Sequence, residues 1–295
     1  MKLVVIALGG NSLTRPKEKG TAEKQIARIN ETISYLKPLA KKFPLVLTHG
    51  NAPQSGSLLV QQEKSKRFLP EMPLDTLDAM TQGELGYWIE QSVENVLKRN
   101  AVAIVTRILV NKNDKAFRRP TKPIGPYYQK KTLKSMIKEP EGWRRVVPSP
   151  KPIKIIDIEE IKNLVRKNFV VIACGGGGIP VVKKKNKFIG VEAVIDKDYA
   201  TQKLASQLKA ETIIFLTDVD YVYQNYGKSN QKPLRRLSVK DAIKYLKENQ
   251  FKEGSMKPKI EASIEFLNKG GKKVLITSPE KLNLALKGKI GTVIE

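Results

Sequence analysis

A chain of 295 residues with 40% apolar and 28% charged residues can bury a full core and is too apolar for a disordered segment. Its 54 Lys and Arg against 29 Asp and Glu give a formal charge of +25, which favours anionic ligands. The basic residues run from Lys2 to Lys289 without a zinc-finger spacing or an RNP-like aromatic motif, which counts against specific nucleic-acid binding, while one cysteine (Cys174) and one histidine (His49) exclude an internal disulfide and a Cys/His zinc site.

The first apolar run, residues 3–8, leaves no room for a signal peptide, and no run approaches the ~20 residues of a membrane span, so a cytoplasmic protein is expected. A run without polar side chains is a strand buried on both faces, as in a parallel sheet covered by helices. Gly9, Gly10 and Asn11 follow it. Such a turn lets backbone N–H groups approach an anion, or is only a turn. Ile26, Ile29, Ile33 and Leu36 then keep a three-to-four spacing, a helix whose stripe is core and which Pro38 kinks or ends.

The second strand, 45–48, runs into His49-Gly50-Asn51-Ala52-Pro53, again a Gly/Asn turn before a helix that starts with proline. A third strand is predicted at 101–106. Residues 111–152 break the alternation with Pro120, Pro123, Pro126, Pro140, Pro148, Pro150 and Pro152 and the aromatic residues Phe117, Tyr127, Tyr128 and Trp143. They read as an irregular excursion, a lid. The strand at 169–173 ends in Cys174 and four glycines, 175–178, an entropic cost that a mere turn does not require. Residues 181–190 read as a hairpin with a solvated Lys/Asn tip.

Asp196-Lys197-Asp198 opens the next helix. Either acid serves as an N-cap, or the two orient the lysine toward a phosphoryl group and hold Mg²⁺. After the strand at 212–216 come Asp218 and Asp220, a further carboxylate pair suited to a Mg-nucleotide. Lys259 follows Pro258 at a helix start, where a lysine opposes the helix dipole by ~0.3–1 kcal/mol unless an anion sits there. The last strand is predicted at 273–277.

These elements define an α/β fold around a mostly parallel sheet, with the glycine loops gathered at its carboxyl edge, where open α/β folds bind ligands. None of the loops is a Walker A or a G-x-G-x-x-G sequence, so the helix-start lysines must hold the phosphate. The reading is an enzyme that moves a γ-phosphoryl group between a nucleotide and a small oxyanion.

Taken in order, ALGGNSL (7–13), THGNAPQSGSLL (48–59), MTQGELGY (80–87), NKNDKAF (111–117), PTKPIGPYY (120–128), GWRRVVPSP (142–150), CGGGGIPV (174–181), VEAVIDKD (191–198), LTDVD (216–220) and FKEGSMKPK (251–259) resemble the carbamate kinases of the amino acid kinase superfamily. The resemblance implies a three-layer α/β/α sandwich in one domain, 1–295. Within it lie an acceptor lobe of about 1–170, a protruding lid of about 111–152 and a nucleotide lobe of about 171–295. It further implies a homodimer of arginine metabolism that uses ATP or ADP, carbamate or carbamoyl phosphate, and Mg²⁺ carried mainly by the nucleotide phosphates. By the same resemblance Lys122 reaches the reacting phosphoryl group, Lys197 and Lys259 are the other active-site lysines, and Asp198 organises them. Gly9, Gly10, Asn11, Gly50, Asn51, Gly175 and Gly176 form the cradles, and Asp218, Tyr223, Met256 and Lys259 face the nucleotide. Other superfamily members carry a lysine before the first glycine pair, where this chain has Ala7-Leu8, and that difference favours carbamate as acceptor.

The chain departs from the family pattern at Ala52, Lys257, Cys174 and a shortened segment between Tyr128 and Gly142. A positive φ at Ala52 would strain or shift its loop. Another carboxylate or phosphate acceptor, or a non-catalytic anion-binding or nucleic-acid-binding role, are the competing readings.

Overall fold

The structure, a computed structural model, describes residues 2–13, 20–131, 135–139 and 141–295. Along the chain the strands are β1 (Val4–Leu8), β2 (Leu45–His49), β3 (Ala101–Ala103), β4 (Arg107–Val110), β5 (Lys122–Tyr128), β6 (Met136–Glu139), β7 (Gly142–Val147), β8 (Pro152–Ile155), β9 (Val170–Ile172), β10 (Ile179–Lys184), β11 (Lys187–Gly190), β12 (Thr212–Leu216), β13 (Val222–Gln224), β14 (Lys232–Leu234), β15 (Arg236–Leu237), β16 (Lys273–Thr277) and β17 (Thr292–Ile294). The α-helices are α1 (Ala22–Ser34), α2 (Lys37–Ala40), α3 (Ala52–Ser65), α4 (Leu74–Ser92), α5 (Ile158–Arg166), α6 (Lys197–Gln207), α7 (Val239–Lys247), α8 (Met256–Asn268) and α9 (Leu282–Leu286).

The main sheet has the order β15-β17-β16-β12-β1-β2-β9-β3 and is parallel except at β16/β17. Side chains alternate across it. Val5, Ala7, Val46, Ile213, Phe215 and Val274 face one core with Ile161, Leu204, Ala242 and Ile260 from α5 to α8. Val4, Ile6, Leu8, Leu47, Ile214 and Leu275 face the other with Ile29, Ile33, Leu85, Ile89 and Leu282 from α1, α4 and α9. Helices therefore cover both faces, the expected three-layer α/β/α sandwich. Among the described residues no helix is long and apolar enough to cross a membrane.

Register positions the site. Leu8 pairs with both His49 and Leu216, and Leu216 pairs with Thr277, so β1, β2, β12 and β16 end level at one edge. The strand expected over 101–106 stops at Ala103, because the chain crosses there into a second sheet, β11-β10-β4-β8. In that sheet β10 and β11 form the expected hairpin, with Lys185 and Asn186 at φ 45° and 62°, the pair of positive φ values that closes a two-residue turn.

Residues 111–152, expected to be irregular, hold three strands of their own from Lys122 on. Their middle is an antiparallel sheet of order β5-β7-β6, and β8 returns to the second sheet. Pro123 lies on β5, an edge strand, where a missing N–H is tolerated. Residues 132–134 and Pro140, within the segment that departs from the family pattern, lie outside the described residues. A third cluster, with Leu59, Leu74, Leu77, Ile124, Val147 and Val194, ties this small sheet to α3 and α4. Pro38 falls in the first turn of α2, after α1 has ended at Ser34.

Candidate active site

Each strand that ends at the shared edge delivers a piece of the site. After β1, the Gly9 N–H donates to the Leu216 carbonyl at 3.0 Å, and a Cβ on Gly9 would stand 2.5 Å from that oxygen. Only glycine permits this approach to β12. After β2, Gly50 and Asn51 lead into α3, and Asn51 occupies the N-cap without a side-chain cap bond. The first-turn N–H groups of α3 thus have no side-chain acceptor at the cap, and the positive helix end lies at the cavity. Ala52 is the first residue of α3 and does not have a positive φ, so the strain considered for that loop is absent.

The charged centre grows from α6. Asp196 is its N-cap, and Oδ1 accepts from the Asp198 N–H at 2.9 Å while Oδ2 accepts from Lys122 Nζ at 2.6 Å. Asp196 is thus the N-cap, and the lysine it holds is Lys122 from β5, whereas Lys197 is held by Asp198. Lys122 arrives from β5, which approaches α3 closely because Gly56 faces Gly125, where a Cβ would stand 3.3 Å from Gly125 Cα. Asp198 Oδ1 accepts from Lys197 Nζ at 2.6 Å, and Oδ2 accepts from Lys259 Nζ at 3.0 Å. Lys259 projects from α8 and also donates to the Ser255 carbonyl at 3.2 Å. Lys257, the neighbouring departure from the pattern, is ion-paired with Glu253.

Burial would push the Asp198 carboxyl up, but the ammonium groups of Lys197 and Lys259 outweigh it and hold it at about 2. Burial likewise pulls Lys197 down, and the carboxylates of Asp198 and Asp196 more than reverse that, leaving it raised. For Lys259 burial prevails over Asp198, and its value is lowered.

The cavity these groups line measures about 300 Å³. It brings together Gly9, Gly10, Gly50, Asn51, Gly176, Lys122, Lys197, Asp198, Asp218 and Lys259, all of them site residues implied by the resemblance. A second cavity of about 130 Å³ shares Asp218 and Ser255 with it and is walled by Tyr221, Tyr223, Tyr226, Phe251 and Met256.

Two expectations change. Gly175 does not line the cavity; a Cβ there would stand 2.4 Å from His49 Nε2, so it packs behind the loop. His49 itself is held at about 4 by burial and is neutral, with its Nδ1–H directed to the Gly50 carbonyl at 3.0 Å. Asp218 and Asp220 diverge, since Asp220 Oδ1 accepts from Ser278 Oγ at 2.5 Å and lines neither cavity. The Asn11 side chain lies outside the described part of the structure. Cys174 sits buried at φ 53°, its thiol pushed up by burial, and its N–H donates to Thr106 Oγ1 at 3.0 Å.

Ammonium groups paired to carboxylates, helix starts and glycine N–H groups around one cavity, beside an aromatic pocket, define a phosphate-handling enzyme on an α/β/α scaffold. Residues 2–278 match the amino acid kinase family. The chain is 43% identical over 312 residues to the carbamate kinase of Thermococcus kodakarensis, covering 100% of this chain and 99% of that one. It is 45% identical over 309 residues to carbamate kinase 2 of Staphylococcus aureus, with coverage of 99% and 98%. The carbamate kinase from Giardia lamblia bound to AMP-PNP superposes with a TM-score of 0.93 at 39% identity, covering 99% of this chain and 98% of that one. The chain belongs to the amino acid kinase family, among its carbamate kinases.

Proposed function

We propose that this chain catalyses the reversible reaction ATP + carbamate = ADP + carbamoyl phosphate, in the cytoplasm and with Mg²⁺. The observation that carries the reading is the convergence of Lys122, Lys197 and Lys259 on Asp196 and Asp198 within one cavity. Carbamate brings its own nucleophilic oxygen and needs no base. The site has only to align that oxygen with the γ-phosphorus and to stabilise the charge spreading over the phosphoryl oxygens.

Lys197 and Lys259, held by Asp198, mark a fixed position for the transferring group. Lys122 exchanges Asp196 for a phosphoryl oxygen when the substrates are in place. Gly9, Gly10, Gly50, Asn51 and Gly176 cradle the acceptor and the phosphoryl group, and Gly175 supports this cradle from behind. Asp218, Tyr223 and Met256 hold the nucleoside in the neighbouring pocket, which makes 171–295 the nucleotide lobe and 1–170 the acceptor lobe. Both oxygens of Asp196 and of Asp198 already accept hydrogen bonds, so the donor set suits a Mg²⁺ carried by the nucleotide phosphates better than a protein cage. Carried there by the nucleotide, a Mg²⁺ would help to neutralise the phosphate charge beside the three lysines. Met80 and Tyr87, exposed on α4, support the homodimer that the family resemblance implies.

Purified protein given carbamoyl phosphate and MgADP is expected to form ATP. In the opposite direction, ADP release with carbamate should exceed that with acetate or glutamate. Absence of ATP from carbamoyl phosphate refutes the proposal.

A further inference from the structure

Asn51 lines the cavity, yet its amide nitrogen is not offered to a ligand. Nδ2 donates to Asp78 Oδ1 at 3.1 Å and to Thr81 Oγ1 at 2.9 Å, both on α4. The Thr81 hydroxyl spends its own hydrogen on the Asp78 main-chain carbonyl at 2.9 Å, so toward Asn51 it only accepts. Asp78 is 2% exposed, its Oδ1 lies 3.5 Å from Ser55 Oγ, and its Oδ2 has no hydrogen-bond partner among the described residues. Gly176 closes the other side of the amide, where a Cβ would stand 2.2 Å from Nδ2 and 2.9 Å from Oδ1. An amide with both N–H groups spent has only its carbonyl oxygen left to give.

We propose that Asp78, with Thr81, is a positioning residue that locks the Asn51 amide so that its Oδ1 accepts a hydrogen from the amino group of the acceptor. The proposal rests on the carbamate reading above and deepens it. Carbamate and acetate share shape and charge and differ by an amino group in place of a methyl. Lysines and backbone N–H groups are donors and serve the oxygens of either one alike. Discrimination therefore requires an acceptor that faces the amino group, and a methyl at that place leaves the amide oxygen buried and unpaired. The lock holds in both protonation states of Asp78, because a proton on the unpartnered Oδ2 leaves Oδ1 free to accept.

The test uses two phosphoryl donors of the same shape, carbamoyl phosphate and acetyl phosphate, with MgADP, and reads the ratio of their kcat/KM values. Asp78→Leu should lower that ratio about tenfold, with the loss on carbamoyl phosphate, as expected for one buried hydrogen bond. The KM for MgADP should stay within about twofold, which a general disturbance of the fold would not allow. Asp78→Asn, which keeps an acceptor oxygen at the same place, should restore the ratio. Thr81→Val removes the other anchor while preserving shape and should lower the ratio as well, so the inference remains testable if Asp78→Leu does not fold. Equal losses on both donors, or unchanged ratios in the variants that fold, overturn the inference alone. A wild-type protein that forms no ATP from carbamoyl phosphate overturns it together with the functional reading.

Discussion

Lys122 and Lys259 both bring positive charge to the cavity, and the structure separates what each does for the fold. The Lys259 side chain is 8% exposed and its partner Asp198 4%. Removing one member of a buried pair costs about 3–5 kcal/mol, and the lower end applies because Asp198 retains Lys197 at 2.6 Å. The Lys122 side chain is 28% exposed, and without it Asp196 keeps its cap bond to the Asp198 N–H. That pair is half-buried, with Asp196 at 10%, and because the cap bond keeps Asp196 partnered its loss should cost about 1 kcal/mol, nearer a surface pair than the Lys259 one. For catalysis the two should be alike, since a donor aimed at developing charge contributes ~10²–10³ in kcat. Lys122→Met and Lys259→Met keep the aliphatic stem and remove the charge. Both should lower ATP formation from carbamoyl phosphate and MgADP by ~10²–10³ in a coupled assay. Thermal unfolding followed by circular dichroism should fall by about 6 °C for Lys259→Met and by about 2 °C or less for Lys122→Met, at roughly 2 °C per kcal/mol for a chain this long. If Lys122→Met keeps activity within about threefold, or loses as much stability as Lys259→Met, the division of roles is wrong.

Two further outcomes follow from the cradle. Gly176→Ala places a Cβ 2.2 Å from Asn51 Nδ2 at a φ of +66°, and should cost about 1–3 kcal/mol of stability and more than about tenfold in kcat/KM; full activity would show that the Asn51 position is not used. Burial pushes the Asp78 carboxyl from 3.8 up to about 7. A carboxyl raised in the folded state contributes stability that is complete below its unfolded value and is lost as pH rises through its folded one. Asparagine cannot ionise, so the Tm of Asp78→Asn minus that of the wild type should widen in its favour between about pH 5 and pH 8; a difference that stays flat contradicts the shift.

The main strands were legible because VVIAL and LVLTH are buried along their whole length, which leaves the apolar runs 4–8 and 45–47 in the sequence. The small sheet that carries Lys122 was not. Its strands β5 and β6 lie at the edges, where proline and charge are tolerated, so KPIGPYY and MIKE carry no strand periodicity. Glycine loops and helix-start lysines could be read from spacing, but Gly175 and Gly176 could not be told apart. In a turn that tight, adjacent residues face opposite ways, one toward His49 and one toward Asn51. Asp78 gave no signal, and Thr81 entered only within the 80–87 motif, without a role of its own. On a helix an aspartate near the start, as at Asp75 and Asp78 of α4, reads as a solvated position, and the role of Asp78 arises only where α3 and α4 meet.

In the structure the three lysines differ in exposure in a way that matches their scaffolds. Side-chain exposure falls from 28% at Lys122 to 19% at Lys197 and 8% at Lys259. The two more buried lysines come from α6 and α8, helices of the main sandwich, and share one carboxylate. The most exposed one comes from the small sheet, whose attachment includes the Gly56–Gly125 approach, the apolar cluster around Ile124 and the Tyr128–Glu63 hydrogen bond. Three ammonium groups against the carboxylates of Asp196 and Asp198 leave one net positive charge among these five groups, so the lysines are held in place without a large mutual repulsion. An arriving phosphate need not displace Asp198, whose two partners are fixed. In the proposed reaction it would compete only with Asp196 for Lys122, the most exposed of the three pairs and the least costly to break.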